Sequence, residues 1–258
     1  TLFEGRDVSS TELPWHYLPK WLLLVMPEFV GFGALGFLWM GASRWKLSKA
    51  AVLLVLATAV GPVAVAVFRH MVLYDGMRHL LFVVPPLVVL SACGAANACE
   101  RIGRRGTWLS RCGAGALTVA IGVSAGVTLI DMGQLHPYEY IFVNRLIGGG
   151  QLAASTRFET DYWGLSVREG LTWLETHPVS GGDRITVDSC AHPSQLRYPI
   201  ERDPTLRARF VPMAKGVPRG VYLALTRWNC HRNHSGTLLH VVERKGVPLL
   251  YILDVRAP

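Results

Sequence analysis

Charge is scarce in this chain. Asp, Glu, Lys and Arg make up 17% of its 258 residues while half are hydrophobic, which excludes intrinsic disorder and does not suit an ordinary soluble domain. Acidic residues are the scarcer sign, 18 against 26 Lys and Arg, for a formal net charge of +8. A basic surplus raises the question of nucleic acid. Here the basic residues are scattered or flank apolar runs, with no basic stripe interleaved with aromatics, so no nucleic-acid partner is expected. Also missing are a phosphate-cradling glycine loop, a G-x-S-x-G elbow and an H-E-x-x-H helix, which disfavours soluble nucleotide-driven catalysis. There is no internal repeat and no low-complexity tract. The opening TLFEGRDVSSTEL has neither the basic start nor the apolar core of a signal or transit peptide. Because the first residue is Thr1 and not Met, the true start is expected to have been removed, by truncation rather than processing.

What is there is apolar length. Ala50 to Phe68, Leu80 to Cys99 and Cys112 to Ile130 contain no charged residue, and Trp21 to Ser43 contains only Glu28. Crossing a bilayer takes about 20 apolar residues, so four spans are expected, near 21–43, 50–68, 80–99 and 112–130. The expected organisation is an external juxtamembrane segment 1–20, a transmembrane region 21–132, an interfacial connector 133–160 and a small soluble domain 161–258. Arg44, Lys46 and Lys49 lie between the first two spans, and Arg101, Arg104, Arg105 and Arg111 between the last two. Positive charge accumulates in cytoplasmic loops, so residues 1–20, the loop 69–79 and everything after Asp131 face outward. The bilayer is then a partner, and the location a bacterial inner membrane with an extracytoplasmic C-terminal domain.

The loop from Arg69 to His79 gathers two Arg and two His on the side where positive charge is normally scarce. Guanidinium forks match phosphate oxygens, so Arg78, with His79 and Arg69 as helpers, is the first candidate to hold a lipid phosphate. Tyr74 either bonds a phosphate oxygen or sits in the interfacial aromatic belt. The plainer account of the loop is interfacial anchoring with Asp75 paired to Arg78, and on charge placement alone the two accounts stand level. Trp15 and Tyr17, within Pro14–Lys20, line either a substrate entrance or the membrane interface. Glu28 is either a polar contact deep in the first span or an interfacial acid near its outer end. Glu159 and Asp161 are carboxylates close in sequence; helix capping is the plainer role for Asp161.

After residue 161 a helical pattern places Leu165, Leu171 and Leu174 with Trp173 on one face, ended by Pro178, Gly181 and Gly182. The period then shifts toward two: Ile185 and Val187; Val221, Leu223 and Leu225; then 238–242 and 249–255 around a turn at Gly246 and Pro248. A small α/β or α+β domain is expected. Cys190 and Cys230 lie in it, where an oxidising compartment permits a disulfide that spacing alone does not establish. With His192, His231 and His234 they also invite a zinc reading, but the spacings fit no strong pattern and no metal is expected.

Four short motifs in order, Pro14-Trp15-His16-Tyr17-Leu18-Pro19, Tyr74-Asp75-Gly76-Met77-Arg78-His79, His136-Pro137-Tyr138-Glu139-Tyr140 through Asn144, and Asp161-Tyr162-Trp163-Gly164, resemble the C-terminal part of bacterial membrane glycosyltransferases of the protein O-mannosyltransferase and lipid A aminoarabinose transferase kind, glycosyltransferase family 39-like. The resemblance implies the GT-C fold of many transmembrane helices, a polyprenyl-phosphate-linked sugar as donor, and transfer to an envelope acceptor at the outer membrane face. It places the family's catalytic acid in an external loop upstream of this chain, so a missing N-terminal transmembrane portion would be a partner and the fragment alone inactive. A divalent metal is compatible with the resemblance, but no ligand set for one is visible. The alternative function is a non-catalytic membrane-anchored binding or assembly protein with an extracytoplasmic α/β domain.

Overall fold

The computed structural model describes residues 1–40, 48–104, 106–177, 179, 184–213 and 220–256. Of the features expected from sequence, Arg44, Lys46, Arg105, Pro178, Gly181 and Gly182 lie outside the described residues. The chain divides into two compact units, one of Thr1 with Val8–Ala154 and one of Leu2–Asp7 with Ser155–Pro258. The boundary thus falls near residue 155 rather than 161. Residues 2–7, expected in a juxtamembrane segment, belong to the second unit.

The first unit is helical: α1 (Tyr17–Val25), α2 (Glu28–Met40), α3 (Lys49–Phe68), α4 (Val84–Gly103) and α5 (Trp108–Leu135), followed by the short α6 (Arg145–Gly148) and α7 (Gly150–Ser155). Ser48 caps α3 by accepting the Ala51 N–H, and Thr107 caps α5 by accepting that of Ser110. Among the described residues, three helices are long and apolar enough to cross a membrane: α3, α4 with its preceding 3₁₀ turn (Arg78–Gly103), and α5.

The expected first span is not one straight helix. It breaks at Met26-Pro27, and α1 meets α2 at a bend of 113°. Pro27 has no N–H to continue α1 and disfavours helical backbone in the residue before it, and Met26 is accordingly extended (φ −74°, ψ 126°). Beyond the break α2 packs closely on α4. A Cβ on Gly36 would lie 2.9 Å from the Gly94 carbonyl, Gly33 lies against Ser91, and the Ser91 hydroxyl donates to the Val30 carbonyl at 2.6 Å. Small residues on both helices let the two backbones approach.

The second unit is α/β. The hairpin β1 (Leu2–Phe3) and β2 (Arg6–Asp7) sets Phe3 edge-on against Phe158, ring centroids 5.8 Å apart. The main sheet has the order β4-β3-β5-β7-β6, from β3 (Ile185–Ser189), β4 (Phe210–Pro212), β5 (Val221–Leu225), β6 (Thr237–Arg244) and β7 (Val247–Asp254). β3 runs parallel to β4 and β5; β7 runs antiparallel to β5 and β6.

Helices α8 (Ser166–Thr176), α9 (Pro193–Arg202) and α10 (Pro204–Arg209) supply Leu171, Leu174, Ile200 and Leu206 to a core against Val187, Leu223 and Ile252. On β5 the alternation expected from sequence separates two cores rather than core from water. Val221, Leu223 and Leu225 join the helical side, while Tyr222 and Ala224 join Cys230 and Leu253 on the other. The β6–β7 turn is Lys245-Gly246, both at positive φ, and not Gly246 with Pro248. A two-residue turn of this kind needs left-handed backbone, which Pro248 cannot adopt, and Pro248 pairs with Glu243 inside the ladder.

Candidate functional site

The loop after α3 starts from a helix end closed by two crossed hydrogen bonds, Met71 N–H to Ala66 carbonyl at 3.0 Å and His70 N–H to Val67 carbonyl at 3.2 Å. His70 takes the left-handed position, φ +46°, that glycine usually fills in such an end. Leu73 and Met77 are buried and anchor the loop, and between them Asp75 and Gly76 are both left-handed (φ +58° and +71°). Asp tolerates that region better than most side chains.

The backbone reversal brings three of the candidate residues together. The Arg78 guanidinium lies 4.2 Å from the centre of the Tyr74 ring, its Nη1 is 3.4 Å from the Asp75 carboxylate, and its Nε donates to His79 Nε2 at 3.4 Å. Tyr74 and His79 meet edge to face at 4.9 Å. Asp75 is paired with Arg78 as the plainer account expected, but it is only 3% exposed, so the pairing is an inward contact. Nη1 to carboxylate at 3.4 Å is looser than the 2.7–2.9 Å of a tight charge-assisted bond.

Arg69 is not part of this group. It caps α3 and stands exposed, because the helix end turns the chain away directly after it. Trp15 is 71% exposed at the rim of a recess of only about 40 Å³, too small for a lipid headgroup. Tyr17 adjoins the same recess but presents almost no surface to it. It is buried beneath the loop, its hydroxyl accepts the Gly76 N–H at 3.1 Å, and its ring lies edge to face with Trp21, against which Gly76 packs. Its amphipathic ring suits such a site, one end apolar and the other hydrogen-bonded.

Sequence reasoning missed a second polar centre in this unit. Asn144 Nδ2 donates to the carbonyls of Leu23 (2.5 Å) and Met26 (2.9 Å), and its backbone N–H donates to that of Leu24 (2.9 Å), covering acceptors freed where α1 breaks. Its Oδ1 accepts from Ile147 and Gly148, capping α6. Beside it the Arg145 N–H donates to Glu28 at 2.6 Å and the Arg145 guanidinium to buried Asp131 at 2.8 Å. Glu28 is therefore spent within the fold. The one available signal was Asn144 itself, a good N-cap residue ahead of Arg-Leu-Ile-Gly.

In the second unit, Cys190 and Cys230 form a disulfide with Cα atoms 6.5 Å apart, tying the end of β3 to the 3₁₀ turn Arg227–Arg232 after β5. Both sulfurs are thereby withdrawn from metal ligation. His231 stacks on Tyr251, His234 stacks on Tyr222, and His192 caps α9. Among the described residues no three His, Cys, Asp or Glu side chains converge on a metal position.

Burial and the nearby Asp188 carboxylate push the Tyr222 phenol up to about 12; burial, then Arg232, pulls His231 below its ordinary value. Asp161 caps α8, accepting from the Leu165 and Ser166 N–H groups and the Ser166 hydroxyl. Glu159 accepts the Leu2 N–H at 2.8 Å and faces Arg227 at 3.7 Å. Neither carboxylate is left as an acid–base pair.

Comparison with protein-family models, curated proteins and solved structures finds no match for this chain.

Proposed function

We propose that the chain is part of an integral membrane glycosyltransferase that moves a sugar from a polyprenyl-phosphate donor to an envelope acceptor at the outer face, with Arg78 holding the donor phosphate. Support for the membrane begins with apolar surface. Leu53, Leu54, Phe68, Val119 and Leu129 are exposed along α3 and α5, and only 6% of the apolar window of α5 is buried. Apolar surface this extensive suits lipid rather than water. The outward orientation of the loop at 69–79 draws support from Lys49, Arg101, Arg104 and Arg111 at the opposite helix ends, and from a disulfide in the second unit, since disulfides persist in oxidising compartments.

The observation that carries the functional reading is the Arg78 guanidinium stacked on Tyr74 beside His79, at the end of an apolar helix. Sugar transfer forms a bond from an acceptor oxygen or nitrogen to the anomeric carbon and breaks that carbon's bond to the lipid-phosphate oxygen. The departing phosphate gains negative charge, and a preorganised guanidinium in a partly desolvated setting stabilises that charge. The acceptor's proton passes to an acidic residue that the sequence resemblance places outside this chain.

Arg78→Ala is expected to lower retention of polyprenyl phosphate in reconstituted vesicles by at least about tenfold, the loss of roughly one charge-assisted bidentate contact. In membranes carrying the whole gene product it nearly abolishes sugar transfer without blocking insertion. Wild-type turnover in that variant removes Arg78 from the mechanism.

A further inference from the structure

We propose that the second unit carries a binding site for an anionic carbohydrate, a glycan bearing carboxylate or phosphate groups, in the groove bounded by α8, α9 and α10. The groove encloses about 820 Å³, within the range of ligand sites. Two aromatic rings stand exposed on its walls, Trp163 at 47% and Tyr198 at 59%. Flat rings with a polar edge suit a sugar, whose ring presents a C–H face and a hydroxyl rim. Arg168 and Arg202 line the same groove, and the Arg202 guanidinium lies 5.2 Å from the Tyr198 ring centre. A guanidinium near the face of a ring still offers its N–H donors, which suit a carboxylate or phosphate.

The ionised Asp203 in the groove offsets one of these two charges and leaves the lining with one positive charge in excess. Asp203 is committed to capping α10, accepting the Thr205 N–H at 3.0 Å and the Thr205 hydroxyl at 2.7 Å. Those two bonds are the main reason its carboxyl lies below the usual range, with Arg168 the smallest contributor.

The walls are also held in place. Gln195 accepts the His192 N–H at 2.8 Å and donates to the Trp163 carbonyl, joining the Trp163 turn to α9. Gly164 between them has φ +63°, and a Cβ there would lie 2.9 Å from the Gln195 side chain. A site fixed before binding loses less freedom when it fills.

Guanidinium groups alone would equally suit an acidic peptide. The pair of exposed rings favours sugar, and the Cys190–Cys230 disulfide puts the unit in an oxidising compartment, where envelope glycans lie. The inference goes beyond the lipid-phosphate reading, and Arg78→Ala should leave it intact.

The test is calorimetric titration of the full chain in detergent with trigalacturonate, using maltotriose as the neutral sugar and hexaglutamate as the acidic peptide. Trigalacturonate is expected to bind, more weakly as salt rises, and maltotriose at least about tenfold more weakly. Arg168→Gln with Arg202→Gln should weaken binding by at least about tenfold, and so should Tyr198→Ala, an exposed position whose loss leaves the melting temperature unchanged. Absence of trigalacturonate binding at millimolar concentration overturns the proposal. So does equal binding of maltotriose, or binding of hexaglutamate as tight as that of trigalacturonate with Tyr198→Ala without effect.

Discussion

Arg78 is positioned by residues that lie under it rather than beside it. Tyr17 accepts the Gly76 N–H inside the unit, and this bond holds the left-handed pair on which Asp75 and Arg78 depend. Tyr17→Phe leaves that buried N–H unpaired, at a cost of about 1–3 kcal/mol. The expected result is a lower melting temperature together with weaker polyprenyl-phosphate retention, although Tyr17 touches no ligand.

His231 offers a separate residue-scale test. Burial holds its folded pKa below the ordinary 6.5, so as pH falls through 6.5 the unfolded chain takes up a proton that the folded one refuses. Stability conferred by the neutral imidazole is thus present at pH 7 and declines toward the folded pKa. Asp254, lowered chiefly by its Arg256 hydrogen bonds, acts in a different window, losing its contribution as pH falls below about 3.8. The drop in melting temperature between pH 7 and pH 5 should shrink in His231→Phe, which keeps the stack on Tyr251. An unchanged drop would assign the acid sensitivity elsewhere.

Among the elements, α3, α4 and α5 were legible because a long uncharged run signals itself locally. The break between α1 and α2 was not. Pro27 marks the place, but a kinked span and a sharp bend differ only in what satisfies the freed carbonyls, and Asn144 stands 118 residues from Met26. Asn144→Ala is expected to destabilise the first unit by about 2–4 kcal/mol, two side-chain bonds to the break and the α6 cap being lost together. It should also increase amide exchange in α1 and α6, and unaltered protection there would show that the bend needs no such support.

In the second unit the strands were legible from alternation, but not which face meets water, since the sheet is covered on both sides. The grouping of Tyr74, Arg78 and His79 was legible because neighbours in sequence suffice for it, while their role stays a proposal. Tertiary placement decides the rest and was not legible: Tyr17 is buried beneath the loop, and Arg69 stands exposed at the end of α3. Asp161 took the capping role that its position before a helix suggested.

For the molecule as a whole, the orientation proposed makes a direct prediction. A cysteine at Met71, exposed in the loop after α3, should react with a membrane-impermeant thiol reagent on intact cells, whereas one at Arg104 should react only after permeabilisation. The inverse pattern would place the Arg78 loop in the cytosol and remove the lipid-phosphate reading. The hairpin Leu2–Asp7 sharpens that prediction, because it folds with residues 155–258. If the first unit spans a bilayer as proposed, a single folded second unit occupies one side of it, and the passages between residues 8 and 154 have even parity. Under the proposed membrane reading, the three long helices among the described residues make an odd number, and the bent pair α1–α2 would supply the further passage, with α2 threading through to the far leaflet rather than doubling back. On that reading, a few paired residues at the start of the chain constrain the passage count of the helices that follow them.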